Sequence, residues 1–574
     1  MAGHSELLRR LGQFVRSEAE AQRFELDKIL ALPLAERVAR GFAIEGLNVA
    51  RVGRAGAVQL ECQTNESRFR EGDFIILHRG DPQGVEAVQC LLEYDDETLL
   101  EVTAKSGNPY FLHEHPAGWI ADPSFLDLSK FFLEALEDVA DTRRGRETIL
   151  PLLAGEKGPG IDYARYIRGY EAAIEAGLND SQAEAVGQAY ATDLVHLIQG
   201  PPGTGKTFVL AHIVRLLVAE GQRVLVTALT HRAINNALDK IVQVDPALPV
   251  CKIGAGIRGQ NLQARNYENF AESGFGDLAG GYAVGATTFA TRTERLAHID
   301  FDVVIFDEAS QVTLPMAIMG MLAGSKYLII GDERQLPPVI TSGASEVGRT
   351  SIFGFLSSRG YETMLTTTYR LNDVLAAWPS RTFYEGKIQP SAEAATRRLQ
   401  LYQPEARWQT FLDPQQPLVF LDLRHRNNKQ RSRGEAELAC DLVLALLQAR
   451  VPPWEIGVVV PYRAQGRLVR NLLREQVSRE TLKELAVDTV ERMQGQEREV
   501  VLVSLTTSSP VYAEQLAQFF FQPERLNVSI TRPRSKLILL GSSHVLQAEP
   551  DEPEQQAWVE MLGDLLQQCV TYHL

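Results

Sequence analysis

The chain has 574 residues, which at a typical domain length of about 150 residues indicates three or four domains. Apolar residues make up 45% and charged residues 23% of the sequence, an ordinary globular composition that excludes a collagen-like, disordered or disulfide-scaffold protein. The formal net charge of −15, taken alone, argues against a protein whose whole surface binds nucleic acid.

The first 170 residues predict helices on either side of a strand-rich segment. Apolar side chains at helical spacing, beginning at Leu7, predict a helical stalk over residues 1–45. Short runs of alternating apolar residues between Gly, Asp and Pro turns predict a small β-barrel over 46–124. A helical pattern then resumes, so returning stalk helices are predicted over 125–170.

From about residue 171 the pattern changes to buried strands, glycine-rich turns and amphipathic helices. This rhythm is typical of a parallel α/β sheet and continues to about residue 545. A break after the last strand–turn unit of the first half predicts one α/β domain over 171–345 and another over 346–545. Residues 546–574 finish in a helical pattern and are predicted to be a C-terminal helical tail.

The strand pattern LVHLIQ (194–199) runs into GPPGTGKT (200–207) and then into an apolar helix. This order predicts a phosphate-binding loop, because glycines let backbone N–H groups surround a phosphate and a helix N-terminus favours its charge. Lys206 is predicted to reach the β- and γ-phosphates, and Thr207 to hold magnesium. The candidate nucleotide-binding residues are Gly200, Pro201, Pro202, Gly203, Thr204, Gly205, Lys206 and Thr207.

Two further apolar strands end in polar residues. FDVVIF (301–306) precedes Asp307 and Glu308, and adjacent carboxylates at the end of a buried strand are costly unless a cation lies nearby. Asp307 is predicted to hold magnesium, and Glu308 to orient and deprotonate the attacking water. YLIIG (327–331) leads to Gln335, which is placed to contact both water and γ-phosphate. ATP and magnesium are therefore the predicted cofactors.

Seven segments, in chain order, resemble the motifs of a superfamily 1 helicase: LNDSQ (178–182), GPPGTGKT (200–207), DEASQ (307–311), GDERQLPP (331–338), TTYRLND (367–373), VDTVERMQGQEREVVLVS (487–504) and RLNVSITRPRSK (525–536). The resemblance covers about two thirds of the chain. It implies an α/β fold with two tandem RecA-like P-loop motor domains built on parallel sheets, next to the helical stalk and small β-barrel.

The resemblance also implies roles for further residues of the nucleotide site. By this match Gln182 reads the adenine edge, Tyr369 stacks on the base, Gly495 borders the phosphates and Glu497 binds the ribose. Arg370 and Arg532 would reach the γ-phosphate, where an arginine typically contributes about 10³–10⁵ in rate. Since both arginines lie in the second half of the chain, the site is expected to form across the two motor domains.

The segments DEASQ, GDERQLPP and PYRAQ (461–465) and the QGQE block resemble superfamily 1B. More closely, they resemble the family of the nonsense-mediated-decay helicase and the immunoglobulin-mu-binding helicase, whose members carry a stalk and a small barrel. This resemblance implies 5′-to-3′ movement on a single strand. Two departures are visible: TALTHRAINN (227–236) replaces a usual Pro-Ser-Asn cluster, and Pro533–Arg534 replaces a usual Ala–Lys pair.

The resemblance places several candidate nucleic-acid contacts in turns after strands: Thr230, His231, Thr287, Thr288, Pro461, Tyr462 and Thr489. Hydroxyls and backbone amides grip phosphates without reading sequence, although each threonine alone is also compatible with a satisfied turn residue. The basic loop, residues 424–433, holds five Lys/Arg and no acid. It is either an ordinary solvated loop or a flexible basic loop over the nucleic-acid channel.

The five cysteines, Cys62, Cys90, Cys251, Cys440 and Cys569, are at least 28 residues apart. This spacing offers no zinc or iron–sulfur motif, so neither structural metal is expected, and reduced cysteines predict a cytoplasmic protein. The sequence has no run of about 18 apolar residues and no apolar signal-peptide core, so no membrane partner is expected.

The sequence as a whole predicts an ATP-dependent helicase, expected to be a monomer, that acts on single-stranded DNA, RNA or both. Two alternatives stay open at this point. One is a nucleic-acid-stimulated translocase that remodels protein–nucleic-acid complexes without separating strands. The other is a nucleotide-gated nucleic-acid-binding switch, which the candidate catalytic residues disfavour.

Overall fold

The structure is a computed structural model that describes residues 2–53, 56–63, 65, 67–69, 72–95, 98–255, 262–343 and 346–574. It divides into two compact units, Met1–Asp141 with Val339–Arg349, and Thr142–Pro338 with Thr350–Leu574. The boundary predicted between the two α/β domains, after residue 345, falls at residues 344–345, which lie outside the described residues. The six predicted domain ranges stay predictions.

The α-helices of the described residues are α1 Ala2–Leu30, α2 Leu34–Ala39, α3 Tyr110–Glu114, α4 Ser129–Asp141, α5 Leu150–Ala154, α6 Tyr163–Glu175, α7 Asp180–Ala191, α8 Lys206–Ala219, α9 His231–Val244, α10 Leu314–Met321, α11 Glu346–Arg349, α12 Ile352–Leu356, α13 Asp373–Phe383, α14 Ala392–Ala395, α15 Arg433–Gln448, α16 Arg463–Arg474, α17 Arg479–Glu484, α18 Val490–Met493, α19 Pro510–Gln515, α20 Ala517–Phe520, α21 Pro523–Ile530 and α22 Pro553–Gln568. Among them, none combines the length and the apolar character that crossing a bilayer requires.

The strands of the same residues are β1 Ile44–Val52, β2 Ala57–Glu61, β3 Phe74–His78, β4 Val88–Asp95, β5 Leu99–Ser106, β6 Trp119–Pro123, β7 Val195–Gln199, β8 Arg223–Thr227, β9 Val250–Ile253, β10 Arg265–Tyr267, β11 Tyr282–Gly285, β12 Val303–Phe306, β13 Lys326–Gly331, β14 Glu362–Met364, β15 Thr367–Thr368, β16 Gln389–Pro390, β17 Leu418–Asp422, β18 Ile456–Val460, β19 Ala486–Thr489, β20 Arg498–Ser504, β21 Pro533–Gly541 and β22 Val570–His573.

The first unit contains the predicted stalk and barrel. Its strands close into an antiparallel barrel in the order β1-β2-β5-β4-β3-β6. Alternate side chains point inward, as Ile75 and Leu77 do on β3, and this alternation is the period-two pattern seen in the sequence. Asp122 on β6 accepts hydrogen bonds from Arg37 of α2 at 2.7 Å and from His78 at 2.8 Å, which ties the helical segment to the barrel wall.

In the part of the chain that the structure describes, the second unit contains two large parallel sheets and a two-stranded parallel sheet of β15 and β16. Within the described residues, the first sheet has eight strands in the order β10-β9-β11-β8-β12-β13-β7-β14. Its central strands are buried, as the apolar runs predict, because helices cover both faces of a parallel sheet. β14 pairs with β7 through Thr363 and Ile198, so this sheet extends to Met364, beyond the limit predicted at 345.

The second sheet has six strands in the order β19-β18-β20-β21-β17-β22 within the described part of the chain. Both parallel sheets and the barrel confirm the predicted fold class. The C-terminal segment differs from the purely helical tail that we expected, because β22 pairs with β17 and adds a strand to this sheet. The helix before it, α22, buries Leu562 and Leu565 in the core of the same domain.

Candidate active site

The predicted phosphate-binding loop connects β7 to α8. Gly203 and Gly205 have φ of 73° and 85°, a left-handed conformation that favours glycine. A Cβ atom on Gly203 would lie 2.3 Å from Cβ of Arg370, and one on Gly205 would lie 2.8 Å from Nε2 of Gln182. Backbone conformation therefore favours glycine at both positions, and crowding by the Cβ atom of Arg370, another predicted site residue, also requires it at Gly203.

Hydrogen bonds within the loop hold its shape. Nζ of Lys206 donates to the carbonyl oxygen of Gly200 at 2.5 Å, and the Thr204 hydroxyl donates to the carbonyl of Pro201 at 2.8 Å. Lys206 is the first residue of α8 and Thr207 the second, so both lie at a helix N-terminus where backbone N–H groups are free for an anion. This arrangement is suited to bind a phosphate.

The acidic pair lies at the end of β12, between β8 and β13. Asp307 is buried, and its backbone N–H donates to the carbonyl of Thr227 at 2.8 Å. Burial, and then the neighbouring Glu308, raise the pKa of Asp307, while Lys206 opposes that rise. The Asp307 carboxylate and the Thr207 hydroxyl are hard oxygen donors of the kind that magnesium prefers, and a bound cation would offset the cost of burying the acid.

Glu308 has φ of 51°, an uncommon left-handed conformation for a residue with a side chain. Its Oε2 accepts a hydrogen bond of 3.4 Å from Nε2 of Gln494, which belongs to the QGQE block of the second domain. The predicted catalytic base therefore lies at the contact between the two α/β domains.

Gln335 follows β13 and is buried. Its Nε2 donates to Oδ2 of Asp332 at 2.7 Å, and the Tyr384 hydroxyl donates to the same oxygen at 2.8 Å. Burial raises the pKa of Asp332, and Lys206 and the two hydrogen-bond donors lower it. β13 lies between β12 and β7 in the sheet, so Gln335 follows the strand that separates the acidic pair from the phosphate loop.

The predicted adenine-binding residues meet at the N-terminus of α7. Gln182 and Asn179 form a capping box, and Nε2 of Gln182 donates to the carbonyl of Thr204 in the phosphate loop at 2.9 Å. Nδ2 of Asn179 donates to the Tyr369 hydroxyl at 2.7 Å, and the Tyr369 N–H donates to the carbonyl of Gly203 at 2.8 Å. Tyr369 is 42% exposed, so its ring is open to stack on a base beside the loop.

Both predicted arginines donate hydrogen bonds to Thr531. Arg370 donates from Nε to Glu497 at 2.8 Å and from Nη1 to the carbonyl of Thr531 at 3.1 Å. Arg532 is buried and donates from Nε to the carbonyl of Val528 at 2.8 Å. Burial, and then the nearby Arg370, lower the pKa of Arg532 to about 9. Two cations this close favour an anion between them, as a γ-phosphate would provide.

Gly495 and Pro533 complete the predicted features of the second domain. Gly495 has φ of 74°, and a Cβ atom added there would meet no heavy atom within 4 Å, so a ligand can approach its backbone. Pro533, the departure after Arg532, is the first residue of β21, a position where a strand tolerates the missing N–H.

The candidate nucleic-acid contacts lie at the carboxyl ends of neighbouring parallel strands. Thr230 and His231 follow β8, and Thr287 and Thr288 follow β11, the next strand of the first sheet. In the second sheet Val460, the last residue of β18 before Pro461 and Tyr462, pairs with Thr489 of β19. The structure therefore brings these residues together as two groups, one on each sheet.

Not all of these side chains are open to a ligand. Thr230 is exposed and caps α9 by accepting from the N–H of Ala233 at 3.2 Å, whereas Thr288 and Thr489 are each only 3% exposed. Tyr462 is also buried; its hydroxyl accepts from Thr507 at 3.1 Å, and its ring stacks on Phe519 with centroids 5.7 Å apart. The exposed Thr230 is thus better placed to contact a strand than these three.

The basic loop, residues 424–433, is held by hydrogen bonds from its backbone to neighbouring segments. The Lys429 carbonyl accepts from the Thr507 hydroxyl at 2.8 Å, and the Asn428 carbonyl accepts from the N–H of Ser508 at 3.0 Å. The N–H of Ser432 donates to Gln465 at 2.8 Å. The backbone is thus fastened to α16 and to the segment just after β20, while the side chains of Arg424, Arg426, Lys429, Arg431 and Arg433 are exposed.

Sequence reasoning missed two buried polar residues that contact this site. Tyr384 follows α13 in a stretch without a recognisable motif, and Asn527 lies within RLNVSITRPRSK but was assigned no role. Both are buried, and Nδ2 of Asn527 donates to the Tyr384 hydroxyl at 2.7 Å. Neither residue stands in a local pattern that indicates a role, since α21 also contains the polar residues Glu524, Arg525 and Ser529.

Comparison with known proteins identifies related chains. Two protein-family models, both described as AAA domain, match residues 177–398 and 349–544. The chain is 27% identical over 519 residues to the DNA replication ATP-dependent helicase/nuclease DNA2 of Saccharomyces cerevisiae, a match that covers 82% of this chain and 34% of that protein. It is also 27% identical over 488 residues to the DNA polymerase alpha-associated DNA helicase A of Schizosaccharomyces pombe, covering 73% of this chain and 71% of that one.

The chain spans about a third of the yeast DNA2 protein and 46% of its Mus musculus counterpart. Among solved structures, an arterivirus non-structural protein 10 (helicase) is 13% identical with a TM-score of 0.40, covering 89% of this chain and 80% of that one, a likeness too low for any conclusion. Two overlapping parts of the chain therefore match AAA-domain models, and the relatives that it resembles in sequence are named as helicases.

Proposed function

We propose that this chain is an ATP-dependent helicase that uses ATP hydrolysis to move 5′ to 3′ along single-stranded DNA, RNA or both and to separate duplexes. One observation carries this proposal most directly. Arg370 crowds Gly203 of the phosphate loop, while its guanidinium bonds Glu497 and Thr531 of the second domain. A γ-phosphate at the loop would therefore draw on residues of both domains, so that its release changes how they fit together.

The chemistry assigned to the site follows from the side chains present. Lys206, Arg370 and Arg532 supply positive charge for the γ-phosphate, which gains negative charge on its oxygens in the transition state. Glu308 positions the attacking water and takes its proton. Thr207 and Asp307 would hold magnesium, which when bound neutralises phosphate charge.

Finer features of the proposal rest on the sequence resemblance and on the first unit. A closed barrel with helices on both sides of it in the sequence supports membership of the nonsense-mediated-decay and immunoglobulin-mu-binding helicase family. The 5′-to-3′ direction comes from that resemblance alone. A monomeric state and a cytoplasmic location also stay predictions.

Unwinding of tailed duplexes tests the proposed function. We expect ATP-dependent strand separation from duplexes with a 5′ single-stranded tail and none from matched duplexes with a 3′ tail. Each substrate is made in DNA and in RNA, so that the same assay reports the preferred nucleic acid. Unwinding from 3′ tails would contradict the direction, and ATP hydrolysis stimulated by single strands without unwinding on any substrate would favour the translocase alternative.

A further inference from the structure

A line of buried polar side chains connects the first sheet to the second domain outside the residues assigned to ATP. Asp332 is 1%, Tyr384 3% and Asn527 0% exposed. Asp332 follows β13 of the first sheet, Tyr384 follows α13, and Asn527 belongs to α21. Most polar groups buried this deeply are hydrogen-bonded, and these three bond one another, while Oδ1 of Asn527 has no hydrogen-bond partner among the described residues.

The bonds run in one direction across the domain contact. Asn527 Nδ2 donates to the Tyr384 hydroxyl at 2.7 Å, and that hydroxyl donates to Oδ2 of Asp332 at 2.8 Å. The same Asp332 oxygen accepts from Nε2 of Gln335 at 2.7 Å. Asn527 Nδ2 also donates to the carbonyl of Arg334 at 2.7 Å, so α21 contacts the Gln335 segment directly as well as through Tyr384.

The line continues from Asn527 to the buried arginine. The Thr531 hydroxyl donates to the carbonyl of Asn527 at 2.6 Å and accepts from Nη2 of Arg532 at 3.1 Å. A hydrogen-bonded path therefore joins Gln335, the predicted γ-phosphate contact of the first domain, to Arg532, the predicted contact of the second. Within this path, the Tyr384 hydroxyl accepts a hydrogen bond from Asn527 of the second domain and donates one to Asp332 of the first.

We propose that Tyr384 and Asn527 are positioning residues that couple Gln335 to Arg532, so that both reach the γ-phosphate together. This inference rests on the proposed ATP hydrolysis. In a buried site a broken link leaves polar groups unsatisfied, which makes partial arrangements costly and favours two discrete states over a continuum. When Gln335 turns toward a phosphate, Asp332 loses the hydrogen bond that it accepts from Gln335. This loss changes the hydrogen bond from Tyr384 to Asp332, and α21 moves with Tyr384 because Asn527 is bonded to it.

The test removes one hydroxyl. In Tyr384→Phe the ring that fills the core stays, while the hydrogen bonds to Asp332 and from Asn527 cannot form. We expect kcat for nucleic-acid-stimulated ATP hydrolysis to fall about 10-fold or more, the range given by removing a hydrogen bond to a charged group. The KM for ATP should stay within about 2-fold, because the residues that bind the ground state are untouched.

Tyr327→Phe is the matched control. Tyr327 is fully buried, and its hydroxyl donates to the carbonyls of Met321 at 3.2 Å and Gly324 at 3.0 Å, all within the first domain. This variant removes a buried tyrosine hydroxyl without touching the path, so its kcat should stay within about 2-fold of the parent. Equal decreases of kcat in both variants would overturn the proposal, because burial alone would then explain them.

Thermal unfolding of each variant shows whether it folds. If Tyr384→Phe does not fold, Asn527→Ala breaks the same path and gives a second test. It should also lower kcat, and the double variant should be no slower than the slower single variant, since both changes break one path. If the fold-decreases in kcat of the two single variants multiply in the double variant, the proposal is contradicted.

If the parent chain hydrolyses no ATP under any condition, the proposed function fails and this inference fails with it. An active parent whose variants are unaffected would instead contradict this inference alone.

Discussion

Glu308 combines an uncommon backbone conformation, φ of 51°, with a hydrogen bond to Gln494 of the second domain. Strained backbone of this kind persists where the surrounding structure enforces it, often where chemistry needs a side chain in one position. We therefore expect Glu308→Gln to keep ATP and strand binding while turnover falls by about 100-fold or more, the usual contribution of a positioned base.

Steady-state ATP hydrolysis and equilibrium nucleotide binding check this prediction together. Glu362→Gln is a suitable control, because Glu362 is a half-buried acid on β14 of the same sheet and has no place in the site. Turnover that survives in Glu308→Gln would mean that another group deprotonates the water.

At the residue scale, the arrangement of the candidate nucleotide site was largely predictable, and the proposed positioning residues Tyr384 and Asn527 were not. The glycine spacing at 200–205 and the acids after an apolar strand each carry their chemistry within a few consecutive residues. Tyr384 and Asn527 become meaningful only through partners far away in the sequence, such as Asp332 for Tyr384. No local pattern records such a contact, because it is decided by how the domains pack.

Among the elements, the basic loop shows how a charge run and a fixed backbone coexist. Its carbonyls are held by Thr507 and Ser508, just after β20, while its five cations stay exposed. We expect replacement of all five by glutamine to flatten the salt dependence of single-strand binding, by about 0.7 in log–log slope for each phosphate that the loop no longer neutralises.

Binding titrations over a range of salt concentrations measure that slope. The matched control replaces five exposed cations elsewhere in the second domain: Arg381, Lys387, Arg407, Arg450 and Arg474. If the salt dependence of single-strand binding is the same in the loop variant and the parent, the loop is an ordinary solvated surface that does not contact the strand.

Elements differed in how well the sequence predicted them, for a physical reason. The buried strands of both sheets were visible as apolar runs, and β12 and β18 lie where FDVVIF and the run before PYRAQ indicate. The strand β22 was missed because its four residues are mostly exposed and carry no alternation of burial. Its pairing with β17 depends on an edge left open by the rest of the sheet.

For the molecule as a whole, the candidate nucleotide site joins two domains, and ligand binding should therefore stabilise both. A non-hydrolysable ATP analogue at about 100 times its Kd would add about 2.7 kcal/mol to the free energy of unfolding. We expect the unfolding temperature to rise in the parent chain and not in Lys206→Ala, measured by thermal denaturation with and without the analogue. An equal rise in Lys206→Ala would place the analogue elsewhere.

The net charge of −15 also takes on a different meaning at this scale. It counts every residue equally, whereas the candidate strand-binding groups occupy the carboxyl edges of two sheets and one loop. Single-strand binding requires a locally basic path and not a basic protein. An acidic remainder of the surface is compatible with that path and disfavours nonspecific binding elsewhere.

The position of β7 has a consequence for dissecting this protein. β7 leads into the phosphate loop, yet one of its two neighbours is β14, which the chain reaches only at Glu362–Met364. A first-domain fragment that stops before Glu362 would expose the backbone N–H and C=O groups of β7 along an apolar edge, and such edges recruit other chains. Expression of the domain in isolation should therefore give aggregates unless the fragment continues through Met364.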